Sequence, residues 1–314
     1  MSKIEPILQE DKNRFVLFPI NNKEVWQLYK KIEQKFWIPN PDYFMKDKEG
    51  FAAMKSEESQ YVFLCISALI LKHKIFGEKS LLRFMNEIQY TESRFFLGFS
   101  EMMCNIYYET MSEILDKLVS PKQEIQLYIN KVQSLDSINK IKNWLDINYF
   151  NNDNFAVRLI IYACFKRIMF SGLMASITSL KKKEDVSITP MVMKFIFEDE
   201  GLYTDFALTT YVQLDNKENA DTIKRIIKEV SELENYFMED FNNTFKYSLL
   251  KRENVSDFTK YISSSIEESV LNNSTNSKHK NPFSFLDWER SFIVIDKNKK
   301  EYVMDRTIKF DADF

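Results

Sequence analysis

Glycine and histidine are scarce in this sequence, with 5 glycines and 2 histidines among 314 residues. Glycine reaches φ > 0 at little cost, so phosphate-cradling loops and tight hairpins lean on it. Five glycines, none in a Gly-x-Gly-x-x-Gly arrangement, argue against a nucleotide-binding βαβ unit. With only 7 prolines, they also argue against an all-β sandwich or barrel, whose many turns use both residues. His73 and His279 are far apart in sequence, which argues against a histidine-rich metal or triad site. The 3 cysteines, Cys65, Cys104 and Cys164, are widely spaced and sit in apolar runs. They form neither a disulfide framework nor a zinc knuckle, and they read as small buried hydrophobes in a reducing compartment.

No charge sign dominates either. Lys and Arg total 43 against 46 Asp and Glu, a net charge of −3, so nucleic acid is not an expected partner. The N-terminus carries charges where a signal peptide needs an apolar stretch. The longest uncharged apolar run, Tyr61 to Leu71, is too short to cross a bilayer. No membrane partner is expected, and the chain is expected in the cytoplasm.

Apolar side chains at helical spacing are plentiful. The composition is 45% hydrophobic, with 27 Phe and 15 Tyr, ample for a globular core. After an extended arm over residues 1–20, Val25, Trp26, Leu28, Tyr29, Ile32 and Phe36 recur at helical spacing until Pro39 and Pro41 stop them. Segment 57–74 predicts a helix buried on all sides. Segment 79–118 predicts one long helix, or two with a kink. Ser120-Pro121 opens another by placing Pro in the first turn. Further helices are expected over 136–148, 153–183, 189–214, 218–250 and 254–276, with Thr189-Pro190 as a capped start. Asn272 to Asn281 reads as a polar linker, and 291–314 as a flexible tail that orders on a partner. The expected fold class is all-α, a bundle of long helices over 1–290. Such bundles often hold metals through two Glu and two Glu-x-x-His pieces on facing helices.

Glu5-Pro-Ile-Leu-Gln-Glu-Asp-Lys-Asn-Arg-Phe-Val-Leu-Phe-Pro-Ile20, with Val25-Trp26 and Phe36-Trp37 after it, resembles the small subunit of class I ribonucleotide reductase. The resemblance continues through Phe84 to Gly98. It recurs at Phe170-Ser171-Gly172, at Lys181 to Lys183, at Asp199-Glu200-Gly201-Leu202 with Asp205-Phe206, and at Asn281-Pro282-Phe283. It ends at Phe310-Asp311-Ala312-Asp313-Phe314, like the terminus with which eukaryotic small subunits dock on the large subunit. It implies a ferritin-like bundle that holds two irons through one Asp, three Glu and two His, beside a radical-storing Tyr.

Carried over position by position, most of that set is gone. The aspartate position falls on Tyr43, with Asp42 beside it. The first Glu-x-x-His falls on Cys104-Asn-Ile-Tyr107, the radical tyrosine on Met111, the lone glutamate on Lys166, and the second Glu-x-x-His on Glu200-Gly-Leu-Tyr203. Only Glu200 keeps a ligand side chain. A lysine repels cations and neutral tyrosine is a poor ligand for ferrous iron. Lys166 is therefore expected to stand in for the metal by pairing with Glu200, with the phenols of Tyr107 and Tyr203 supplying hydrogen bonds. Trp37 and Asp199 match the family's electron-transfer pair, read here as vestigial, and Tyr302 its tail relay, read either as a relay or as a vestigial aromatic that packs on the partner.

The resemblance then implies an auxiliary, metal-free and cofactor-free small subunit, not catalytic by itself. It would pair with a catalytic small subunit or with itself, and reach the large subunit through Phe310 to Phe314. Two other readings stay open: a radical-bearing subunit that works without a dimetal site, in which Tyr43, Tyr107, Tyr108 or Tyr203 could host the radical, and a ferritin-like scaffold outside nucleotide reduction.

Overall fold

Asn22 sets the first long helix by accepting the Val25 amide at its N-terminus (3.1 Å). That helix, α1 (Lys23–Gln34), buries Val25, Leu28 and Ile32 at the three- and four-residue spacing expected of one apolar stripe. The computed structural model describes residues 4–12, 14–183, 185–271 and 279–286. The tail over 291–314, with Tyr302 and Phe310 to Phe314, lies outside the described residues, as does most of the 272–281 linker.

After α1 come the short helices α2 (Pro41–Phe44) and α3 (Lys48–Ala53), then α4 (Ser56–Lys72), α5 (Glu78–Glu87), α6 (Thr91–Leu118), α7 (Gln123–Gln133) and α8 (Asp136–Leu145). The remainder are α9 (Phe155–Arg167), α10 (Ser171–Ser179), α11 (Ile188–Val212), α12 (Ala220–Phe245) and α13 (Arg252–Leu271). Among the described residues there is no strand. Every residue of α9 is buried, as is every residue of α4 from Tyr61 on. These apolar-all-round helices form the centre, with α6 and α11 beside them. Two stretches, Ser56–Glu87 and Phe155–Lys182, are long and apolar enough to cross a bilayer once a few charges are tolerated, but 83% and 100% of their apolar windows are buried inside the bundle.

Three boundaries are set by contacts distant in sequence. The 79–118 segment is two helices, because Ile88 turns extended and the Gln89 amide donates to the Ile7 carbonyl of the arm (2.8 Å). The 153–183 segment also breaks: Phe170 adopts a left-handed conformation (φ 65°), and Glu234 of α12 accepts the amides of Phe170 (2.6 Å) and Gly172 (3.0 Å). The start of α11 is capped by Asp47, whose carboxylate accepts the amides of Ser187 (2.9 Å), Ile188 (3.0 Å) and Thr189 (2.6 Å). A carboxylate at a helix N-terminus satisfies orphan amides and opposes the positive dipole end.

The arm is fastened by Glu92 at the start of α6. Its carboxylate accepts from the Arg14 guanidinium (2.7 and 2.9 Å) and from the Asn21 amide (2.7 Å). Burial alone would raise this carboxyl, but the Arg14 and amide bonds outweigh it and bring it down to about 2. A carboxyl held below its usual range contributes stability above about pH 4.5 that is lost as pH falls through its folded value. Glu92→Gln is expected to cost about 2 kcal/mol at pH 7, discounted for the partly solvated Arg14. The difference from the parent should vanish near pH 2, which urea unfolding across pH 2–7 would measure. A constant difference over that range would mean that the charge plays no part.

Candidate functional site

Four inner helices bring polar groups to one small cavity. The C-terminus of α4 supplies Lys72, α6 supplies Cys104, Tyr107 and Met111, α9 supplies Lys166, and α11 supplies Glu200. His73 and Gly77, from the π-helical turn after α4 (His73–Gly77), close one side. The cavity is about 30 Å³, room for only one or two waters and too small for an organic substrate.

The ion pair inside is not the expected one. Lys72 donates to both Glu200 oxygens (2.8 and 2.9 Å). Lys166 instead has Cys104 Sγ at 3.9 Å and lies over the rings of Tyr203 (5.1 Å to the centroid) and Tyr162 (5.6 Å). The expected Lys166–Glu200 pair is therefore corrected to Lys72–Glu200. Lys72 sits one residue beyond the uncharged run Tyr61–Leu71, so it reads in sequence as an ordinary basic end to a helix. Its burial with the rest of α4 places it inward. Burial lowers the Lys72 ammonium, Glu200 counteracts this, and the nearby charge of Lys166 adds to the lowering.

Tyr43 is the other correction. It lies on short α2, 49% exposed, with Lys46 Nζ over its ring at 4.5 Å. The four-residue helix turns Phe44 inward instead, so Tyr43 faces out. The cavity wall has His73 where sequence reading placed no residue. His73 stacks on Tyr108 (5.4 Å), and burial first, then the charges of Lys166 and Lys74, push its imidazole down to about 4. It is therefore neutral at pH 7.

Beside the cavity runs a hydrogen-bonded chain of aromatic groups and one carboxylate. Trp37 Nε1 donates to Asp199 Oδ2 (3.0 Å), the Tyr107 hydroxyl donates to the same oxygen (2.8 Å), and the Tyr107 and Tyr203 hydroxyls lie 2.8 Å apart. Trp37 stacks on Tyr107 with centroids 5.7 Å apart. Burial raises Asp199 to about 6 against the opposing bonds from Tyr107 and Trp37, and holds both phenols well above their usual range. The phenols are protonated at neutral pH and work as donors. Burial also raises the Cys104 thiol.

The donor set is poor for divalent metal. Thiolate and neutral imidazole would serve, but the thiol holds its proton, the one cavity carboxylate is taken by Lys72, and a second ammonium faces the same space. Among the described residues, no group of three or more His, Cys, Asp or Glu side chains is placed to hold a metal ion.

The sequence model of the family "Ribonucleotide reductase, small chain" matches residues 14–278. A ribonucleoside-diphosphate reductase subunit M2 of Danio rerio is 33% identical over 238 residues, covering 75% of this chain and 61% of the relative. The small chain of Spisula solidissima is 31% identical over 240 residues, covering 76% of this chain and 62% of its own length. The chain thus spans under two thirds of these relatives. A solved structure of the ribonucleotide reductase Rnr4 homodimer from Saccharomyces cerevisiae superposes with a TM-score of 0.79 at 26% identity, covering 89% of this chain and 88% of that one. An inner bundle of α4, α6, α9 and α11, with Cys104, Tyr107, Lys166 and Glu200 facing one cavity, agrees with these likenesses: the chain belongs to the ribonucleotide reductase small-chain family.

Proposed function

We propose that this chain is an auxiliary small subunit of a cytoplasmic ribonucleoside-diphosphate reductase, working without a dimetal cofactor and without catalysing by itself. The observation that carries this reading is the cavity chemistry. Two ammonium groups and one carboxylate, already ion-paired, stand among the positions that the resemblance assigns to metal ligands. Two divalent cations bring four positive charges, and this lining offers one negative charge against them.

The partner is a second small subunit, either a metal-bearing one or a second copy. An aromatic strip supports this: Phe18, Phe36 and Phe95 are 63%, 48% and 41% exposed and are joined through Trp26, Tyr29 and Phe99 by ring contacts of 5.1–6.3 Å. A contiguous apolar face of this kind marks an interaction surface. The yeast relative is a homodimer. The large subunit would be reached through Phe310 to Phe314, and the role would be to support cofactor assembly or holoenzyme architecture.

Metal analysis of the purified chain tests the main claim. Iron and manganese are expected well below one per chain after exposure to ferrous iron and oxygen, and stoichiometric metal would overturn it. Phe95→Glu is expected to weaken association with a second small subunit at least tenfold by sedimentation velocity, since a buried charge at a hydrophobic interface costs more than about 1.4 kcal/mol. Unchanged association would move the interface elsewhere. The Trp37–Asp199–Tyr107–Tyr203 chain is the observation that favours a radical-bearing alternative. An electron paramagnetic resonance signal from the metal-free chain after activation would replace the auxiliary reading with that one.

A further inference from the structure

The cavity contains more positive charge than its visible partners balance. Lys166 is only 5% exposed, yet among the described residues no carboxylate lies within ion-pair distance of its Nζ. Its one hydrogen-bond contact there is the Cys104 sulfur at 3.9 Å, a weak acceptor. The faces of Tyr203 and Tyr162 hold the ammonium on the protein side, and the lysine lines the cavity on the other. Both Glu200 oxygens are engaged by Lys72. Two of the other acids near the site are occupied. Asp199 accepts from Trp37 and Tyr107, and Glu234 accepts two backbone amides. Glu101, one turn before Cys104, is felt electrostatically by Lys166 but makes no ion pair with it. A buried charge without a partner is strongly unfavourable, so a counter-charge in the neighbouring space is the economical arrangement.

We propose that the cavity between α4, α6, α9 and α11 is a binding site for a small monovalent inorganic anion, chloride in the cell, held by Lys166 with Lys72 and His73 at its edge. The volume of about 30 Å³, room for one or two waters, points to a monatomic anion. Cys104 keeps its proton and His73 is neutral, so neither supplies the missing negative charge nor a further positive one. The chain has thus exchanged a cation-binding cavity, as its family resemblance implies, for one of opposite preference. The charge inside the bundle is the same whether or not the chain serves nucleotide reduction.

Two measurements test it on the full chain. In crystals grown without halide and soaked in sodium bromide, an anomalous peak is expected in contact with Lys166 Nζ. In solution, replacing gluconate by chloride at constant ionic strength is expected to raise the melting temperature by on the order of 5 °C once chloride reaches about a hundredfold its dissociation constant. Lys166→Met should abolish the chloride dependence. Glu101→Gln, which removes a charge that repels the anion, should move the midpoint to several-fold lower chloride. A cavity without bromide, a melting temperature indifferent to chloride, or an equal chloride response in Lys166→Met would each overturn the proposal.

Discussion

Glu200→Gln is expected to destabilise the fold by about 3–5 kcal/mol at pH 7, although it changes one oxygen to an amide. The reason is the company that Glu200 keeps. Lys72 donates both of its short bonds to this carboxylate, and Lys166 lines the same cavity. Without the negative charge, two buried ammonium groups face each other. The Lys72 ammonium already lies below its usual range because of burial, and removing its partner pushes it lower still. A lysine lowered in the folded state costs stability below its folded value. That cost is relieved as pH rises toward the unfolded value near 10.5. The gap between Glu200→Gln and the parent should therefore narrow from pH 7 to pH 10, which urea unfolding at several pH values would follow. Lys72→Met should cost less than Glu200→Gln, because the positive charge of Lys166 still lines the cavity with Glu200. The double change Lys72→Met with Glu200→Leu removes both charges at roughly conserved volume. It should recover most of the loss, since apolar replacement of a buried pair is often neutral or stabilising. A loss in the double equal to the sum of the two single losses would mean that the charges are not coupled.

How far such a site can be read before folding depends on what sets each position. Cys104, Tyr107 and Met111 share one face of α6 at three- and four-residue spacing, so their common direction follows from helix geometry. Glu200 and Tyr203 share α11 in the same way. The pairing of ammonium and carboxylate was not legible, because it is a choice between two lysines on different helices. Side-chain reach across the cavity decides it, and Lys72 reaches Glu200 while Lys166 rests on Tyr203. Tyr43 went astray because an α2 of only four residues turns Phe44 inward and leaves its neighbour outside. The long helices were legible in place, but the short α2 and α3 and the break at Phe170 were not, and the break at Ile88 only as an alternative. Ile88 and Phe170 carry no proline or glycine signal. Their turns are made by the Ile7 carbonyl and the Glu234 carboxylate, far away in sequence. The cap on α11 is likewise supplied from afar by Asp47 rather than by the local Thr189.

Glu234 carries the second large effect. It is fully buried, and its two oxygens accept the amides of Phe170 and Gly172 at the start of α10, where Phe170 holds its left-handed turn. Glu234→Ala leaves two buried amides without an acceptor. At about 1–3 kcal/mol each, the expected loss is about 3–5 kcal/mol, with α10 as the first element to exchange its amide protons. Gly172 offers no slack for rearrangement, since a Cβ there would meet Met238 Sδ at 2.8 Å and Val255 Cγ1 at 2.9 Å. The pH dependence separates the charge from the hydrogen bonds. Burial raises the Glu234 carboxyl to about 7, against the opposing Gly172 and Phe170 amides. An acid raised in the folded state binds its proton more tightly there than in the unfolded chain, so its contribution falls as pH rises from about 4.5 to 7 and is level beyond. That fall amounts to about 3 kcal/mol for a 2.5-unit difference. Glu234→Gln keeps one acceptor oxygen and cannot ionise. Its stability should approach the parent's above pH 7 and lack this slope below it, whereas Glu234→Ala should be weak throughout. Parallel profiles for the parent and Glu234→Gln between pH 4.5 and 7 would show that the carboxyl does not titrate there, and that its burial is offset by the two amides it caps.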